Sequence, residues 1–190
     1  TQATRQRMQV AVRPAGSTVW TTYTLAEGPV GGVAIAGFVP IAIDAAGNLT
    51  AAWTLWDGTR HIVQSALLPK GATAFGPVAT LSGPTTDGLY ISLAINARGD
   101  AAVLCTVSPY TSYSTGTNAQ YVFRSGPNGA WTAPVIISET LMSWVGYVTG
   151  PQVALDANGL ATAIYFAYGV EATRQLPNNS WTPPQTIPQA

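Results

Sequence analysis

The sequence predicts an all-β fold, a partial β-propeller of about three and a half four-stranded antiparallel blades, and three observations carry that expectation. Two hairpin-like segments alternate along the chain, and each returns several times. Gly, Thr and Pro interrupt every long stretch, so no apolar pattern at helical spacing persists. The 190 residues suit one domain or a piece of a larger one.

The first segment reads AIDAAGN at 42–48, AINARGD at 94–100 and ALDANGL at 154–160, with starting points 52 and then 60 residues apart. Such spacing suits a blade of roughly 40–50 residues carrying loop insertions. Alternating residues before and after each copy predict two strands, A and B, joined by a turn. The side chain of Asp44, Asn96 or Asp156 accepts hydrogen bonds from amides ahead of it, and Gly47, Gly99 or Gly159 supplies a positive φ. That chemistry explains the spacing without catalysis.

The second segment occurs four times: MQVAVRPAG at 8–16 before Trp20, VQSALLP at 63–69 before Phe75, AQYVFRS at 119–125 before Trp131, and EATRQLP at 171–177 before Trp181. It predicts strands C and D, with the aromatic filling space at the blade edge. Pro77, Pro134 and Pro184 fall on the outer strand, where a ladder tolerates a missing N–H. The chain is therefore expected to be one propeller segment over 1–190, with a CD half blade at 8–24 and blades at 39–81, 90–138 and 151–187. Such a set does not close an ordinary ring, so its edges call for additional blades from a parent chain or for self-association.

The pattern resembles bacterial β-propellers of the sialidase-like, or neuraminidase-repeat, kind, in which a strand, a turn and a Trp recur in each blade. The resemblance runs from Met8 to Ile187. Its Asp box is degenerate here: Ser125-Gly-Pro-Asn-Gly-Ala-Trp131 keeps the Gly and the Trp but lacks the Asp. The resemblance implies either a binding propeller or a fragment of a sialidase-like or other glycoside hydrolase.

Hydrophobic residues make up 47% of the chain and charged residues only 8%, with eight basic and eight acidic side chains cancelling. A chain with no net positive field is not expected to bind nucleic acid through its phosphates. The longest apolar run, Val30 to Ile43, is broken by Gly31, Gly32, Gly37 and Pro40, so no membrane span is expected. Cys105 is the only cysteine and reads as a small buried hydrophobe. Low charge, abundant Thr, Gly and Pro, and six Trp suggest a secreted or cell-surface protein.

Propeller geometry puts the AB and CD turns on one rim and the BC loops and D-to-A connections on the other. The variable lengths gather on the second rim, which is where a ligand is expected. The ligand-binding candidates there are Trp56, Asp57, Arg60, Tyr110, Tyr113, Trp144, Tyr147 and Tyr168. Flat aromatics among Ser, Thr, Gly and Asn suit stacking on sugar rings or contact with a protein. No catalytic residue is assigned. Glycoside hydrolysis needs two carboxyl groups about 5–9.5 Å apart, and a sialidase-type site needs several Arg, whereas this rim offers Arg60 alone. His61 is the only histidine, and no metal or cofactor is expected. The leading expectation is thus a noncatalytic binding or scaffold module for carbohydrate or protein, with a hydrolase fragment and a self-assembly module as alternatives.

Overall fold

In a computed structural model, which describes residues 5–29, 39–109, 116–138, 148–167 and 169–188, the described residues hold strands and no helix. β1 (Arg5–Val12) and β2 (Thr21–Pro29) form a two-stranded hairpin. Three four-stranded antiparallel meanders follow. Blade 1 is β3 (Ile41–Ile43), β4 (Leu49–Trp56), β5 (His61–Leu68) and β6 (Ala79–Thr80). Blade 2 is β7 (Thr86–Ile95), β8 (Ala101–Pro109), β9 (Asn118–Arg124) and β10 (Val135–Ile136). Blade 3 is β11 (Thr149–Leu155), β12 (Ala161–Phe166), β13 (Val170–Arg174) and β14 (Gln185–Thr186). The described residues form a partial propeller of three blades and a half.

The AB turns show why their spacing is fixed. Asp44 Oδ1 accepts the Asn48 N–H at 2.8 Å, Asn96 Oδ1 accepts those of Arg98 and Asp100, and Asp156 Oδ1 accepts those of Asn158 and Leu160. Gly47, Gly99 and Gly159 close the turns at φ between +84° and +90°. Burial pushes the Asp44 carboxyl up, but hydrogen bonds from the Asn48 side chain and the amides of residues 48, 47 and 46 outweigh it and hold the group below the ordinary carboxylate range. Asp100 is lowered in the same way, with Asn96, Arg98 and the Gly126 N–H overcoming its burial. Groups depressed in the folded state add stability above their unfolded values and lose it as pH falls through the folded ones. Urea midpoints should therefore hold from pH 7 to about 5 and drop below about pH 4, less steeply in Asp44→Asn.

Within a blade, directly opposed residues share a face. Leu49, Ala51 and Trp53 face the hairpin, where Met8, Val10 and Leu25 complete the first seam. Ala52 and Val63 point the other way and meet Val103, Cys105 and Val122 of blade 2. Ala102, Leu104 and Tyr121 then meet Ala161, Ala163 and Tyr165 of blade 3. Among the described residues the core is thus three seams, one between each two successive sheets, and β4 and β8 are buried along almost their whole length because they contribute to two seams each. Polar ties cross the seams as well: Arg124 Nη2 donates to Thr50 Oγ1 at 3.0 Å, and Tyr121 Oη donates to Gln175 Oε1 at 3.3 Å.

β12 alternates strictly between buried and exposed, and its free face carries Ile164 and Phe166, the latter 48% exposed. The same positions in blade 2, Leu104 and Thr106, are covered. The CD aromatics obey one rule: Phe75, Trp131 and Trp181 each pack on the seam toward the preceding sheet. Trp20 departs from its expected packing, at 60% exposed, because no described sheet precedes its hairpin. It stacks under Arg13 instead, with the guanidinium 5.4 Å from the ring centroid.

Candidate functional site

The BC turn of blade 1 is built by Asp57. Its Oδ1 accepts the N–H groups of Thr59 at 2.9 Å and Arg60 at 3.0 Å, and Gly58 takes φ +103° between them. Those two amides, and secondarily the Arg60 charge, hold the Asp57 carboxyl below its ordinary range. The tight turn pairs Trp56 with His61 across the hairpin, their rings 4.9 Å apart between centroids and tilted by 58°. Arg60 Nη1 donates to the carbonyls of Gly83 at 2.7 Å and Thr86 at 3.2 Å, which ties the turn to the connection entering blade 2. Asp87, buried at the start of β7, accepts the His61 backbone N–H and contacts His61 Nδ1 at 3.0 Å through the same oxygen. Gly88 must follow, because a Cβ there would lie 2.6 Å from Val63 Cγ2.

Just beyond Gly88, β7 carries a bulge between Leu89 and Ile91. The residue it displaces is Tyr90, at φ +43° and 57% exposed. A bulky side chain in the left-handed region is strained, and such strain concentrates at functional positions. Tyr90 lines a cavity of about 370 Å³ with Leu89, Thr106, Ser108, Thr117 and Thr149, on the same variable rim. The Thr106 and Thr117 hydroxyls already donate to the carbonyls of Leu89 and Val148. What these two hydroxyls have left to offer is acceptor capacity.

Of the residues singled out from the sequence, Trp56, Asp57 and Arg60 sit together on one turn. Tyr110, Tyr113, Trp144, Tyr147 and Tyr168 lie outside the described residues. Asp57 and Arg60 shape the turn through bonds that occupy them, whereas Trp56 offers ring surface. Tyr90, Asp87 and His61 stand beside that turn or on the same rim and are not among the ligand-binding candidates named from the sequence. Glycosidic cleavage by two carboxyl groups requires one of them to be protonated and free to donate. Here Asp57 Oδ1 is taken by two backbone amides, and Asp87 Oδ1 is shared by the His61 N–H and Nδ1. Among the described residues no three His, Cys, Asp or Glu gather as a metal set, and no helix is long and apolar enough to cross a membrane. Cys105 is buried, with its thiol pushed up to about 12 by burial, so it is not a nucleophile at neutral pH.

No protein-family model matches the chain, and no curated protein sequence matches it. Solved structures do. An α-L-arabinanase from Penicillium chrysogenum, complexed with arabinobiose, superposes at a TM-score of 0.55 with 11% identity, over 96% of this chain and 56% of its own. An ulvanlyase of polysaccharide lyase family PL25 superposes at 0.60 with 12% identity, over 97% of this chain and 50% of its own. The likeness is one of fold. The chain spans about half the length of these structures.

Proposed function

We propose that this chain is a noncatalytic carbohydrate-recognition module of an exported protein, part of a larger propeller of the sialidase-like kind, binding sugar on the variable rim. The observation that carries this reading is Tyr90, held at φ +43° on an innermost strand beside a largely apolar cavity that Thr106, Ser108, Thr117 and Thr149 help to line. Trp56 supplies a second flat surface on that rim, steadied by His61 and Asp87. Stacking surfaces fixed in advance, with hydroxyl acceptors around them, match the alternating CH faces and hydroxyls of a pyranose. The fold likeness to a lyase and an arabinanase is consistent with a carbohydrate ligand. The free face of blade 3 would take a further blade, from a longer chain or a second copy.

Binding to a glycan array should fall at least about tenfold in Trp56→Ala, the effect of losing a stacking contact of roughly 1.4 kcal/mol. Tyr90→Gly should lose binding equally while keeping or raising the melting temperature, since glycine relieves the strained backbone. Absence of any glycan binding by the parent chain would remove the carbohydrate reading.

The His61–Asp87 pair favours a second reading, a fragment of a sialidase-like or other glycoside hydrolase. A carboxylate on Nδ1 fixes the tautomer and leaves Nε2 to take a proton from an attacking water. Turnover of a glycoside panel that disappears in His61→Gln would decide for this reading over the first.

A further inference from the structure

The blades diverge outward, and the gap between the C and D strands of blades 1 and 2 is a cleft of about 650 Å³. It lies toward the CD turns, away from the variable rim, and two of its lining groups are unusual. Arg124 is only 4% exposed, yet it forms no ion pair among the described residues. Its Nε donates to the Gly126 carbonyl and its Nη2 to Thr50 Oγ1, which accounts for two of five N–H donors. One face of the guanidinium rests on Trp131, 5.2 Å from the ring centroid. Asp44 acts on it only at longer range, offsetting in part the burial that lowers its pKa. From the facing sheet comes Ser65, fully buried, whose Oγ is one of two buried side-chain atoms without a hydrogen-bond partner among the described residues, with Thr54 Oγ1.

Neither group is demanded by the repeat. At the rung where Arg124 pairs with Ala101, blade 1 has Leu68 opposite Leu49 and blade 3 has Gln175 beside Ala161. At the rung of Ser65 the other blades carry Tyr121 and Ala172. The neighbouring cleft between the hairpin and blade 1, about 380 Å³, arises from the same divergence and is lined by no charged residue. Divergence therefore explains a gap but not a cation in it. A buried guanidinium with spare in-plane donors, sharing a cleft with an unpartnered hydroxyl, is complementary to a carboxylate. The volume lies within the range of small-molecule sites.

We propose that the cleft between blades 1 and 2 binds a carboxylate, held by Arg124 and Ser65 Oγ, with Pro77 and Pro127 against the body of the ligand. This site does not rest on sugar binding at Trp56 and Tyr90. The carboxylate would belong to an acidic sugar or to a small free acid. The test is ligand-observed NMR titration of the whole chain with glucuronate, acetate and glucose. Glucuronate should bind saturably and glucose should not. Acetate binding as tightly as glucuronate assigns the site to free acids, and much weaker acetate binding assigns it to an acidic sugar. Arg124→Leu, which takes the blade 1 residue at that rung, should abolish binding. Ser65→Ala removes a hydroxyl with no partner to lose, so it should keep the melting temperature and weaken binding about tenfold. Trp56→Ala should leave this binding intact. Failure of both glucuronate and acetate to saturate, or unchanged affinity in folded Ser65→Ala, overturns the proposal.

Discussion

Trp53→Ala is expected to destabilise the chain by about 3–5 kcal/mol, as large aromatic truncations in closed cores do. Trp53 is fully buried in the seam between the hairpin and blade 1, among Met8, Leu25, Leu49 and Phe75. Its indole N–H donates to Oε1 of the half-buried Gln64 at 3.0 Å, so truncation also removes a hydrogen bond. The same rung holds Cys105 in blade 2 and Tyr165 in blade 3, each fitted to its own seam. Trp53 is the largest fully buried side chain of that seam, where Met8, Val10, Leu25 and the Tyr23–Phe75 contact also hold the hairpin to blade 1. Equilibrium urea unfolding measures the loss, and hydrogen exchange in β1 and β2 should rise before that in β8. A loss under about 1 kcal/mol would mean that the hairpin does not pack on blade 1 as described.

Gly99→Ala is expected to cost stability twice over. The backbone at φ +84° penalises a Cβ by about 1–2 kcal/mol. The new methyl would also lie 2.9 Å from Asp44 Oδ2 and 2.9 Å from Pro127 Cδ, crowding worth a further ~1–3 kcal/mol. Gly16→Ala is the control, since Gly16 has φ +79° and nothing within 4 Å of an added Cβ. The difference between the two measured unfolding free energies therefore reads the crowding of the AB turn of blade 2 by the Asp44 carboxylate of blade 1 and by Pro127 of its own CD turn together. Equal losses would show that neither group crowds Gly99.

The hairpins were legible because their turns are chemically local. An Asp or Asn followed three residues later by Gly fixes the AB turn from neighbours alone, and Asp44, Asn96 and Asp156 do so. Alternation then assigns faces, which is why the seam residues follow from position. The candidate site was legible only in part. Trp56, Asp57 and Arg60 belong to one short turn and announced themselves together. The link from His61 to Asp87 joins two blades across 26 residues, and no local pattern encodes it. Tyr90 is hidden by a bulge that shifts register by one residue within an ordinary-looking strand. Arg124 and Ser65 converge only once two sheets have stacked. Trp20 misled for the opposite reason, since its motif matches its siblings while its surroundings do not.

The most direct measurement is a side-chain and backbone NOE map of the isotopically labelled chain. Stacked blades require contacts between the Tyr165 ring and the methyl groups of Leu104 and Ala119, with none between the backbones of β6 and β7, whose strands belong to different sheets. Cross-strand Hα or amide contacts joining β6 to β7, without the Tyr165 contacts, would mean one continuous sheet and contradict the seams on which every site above depends.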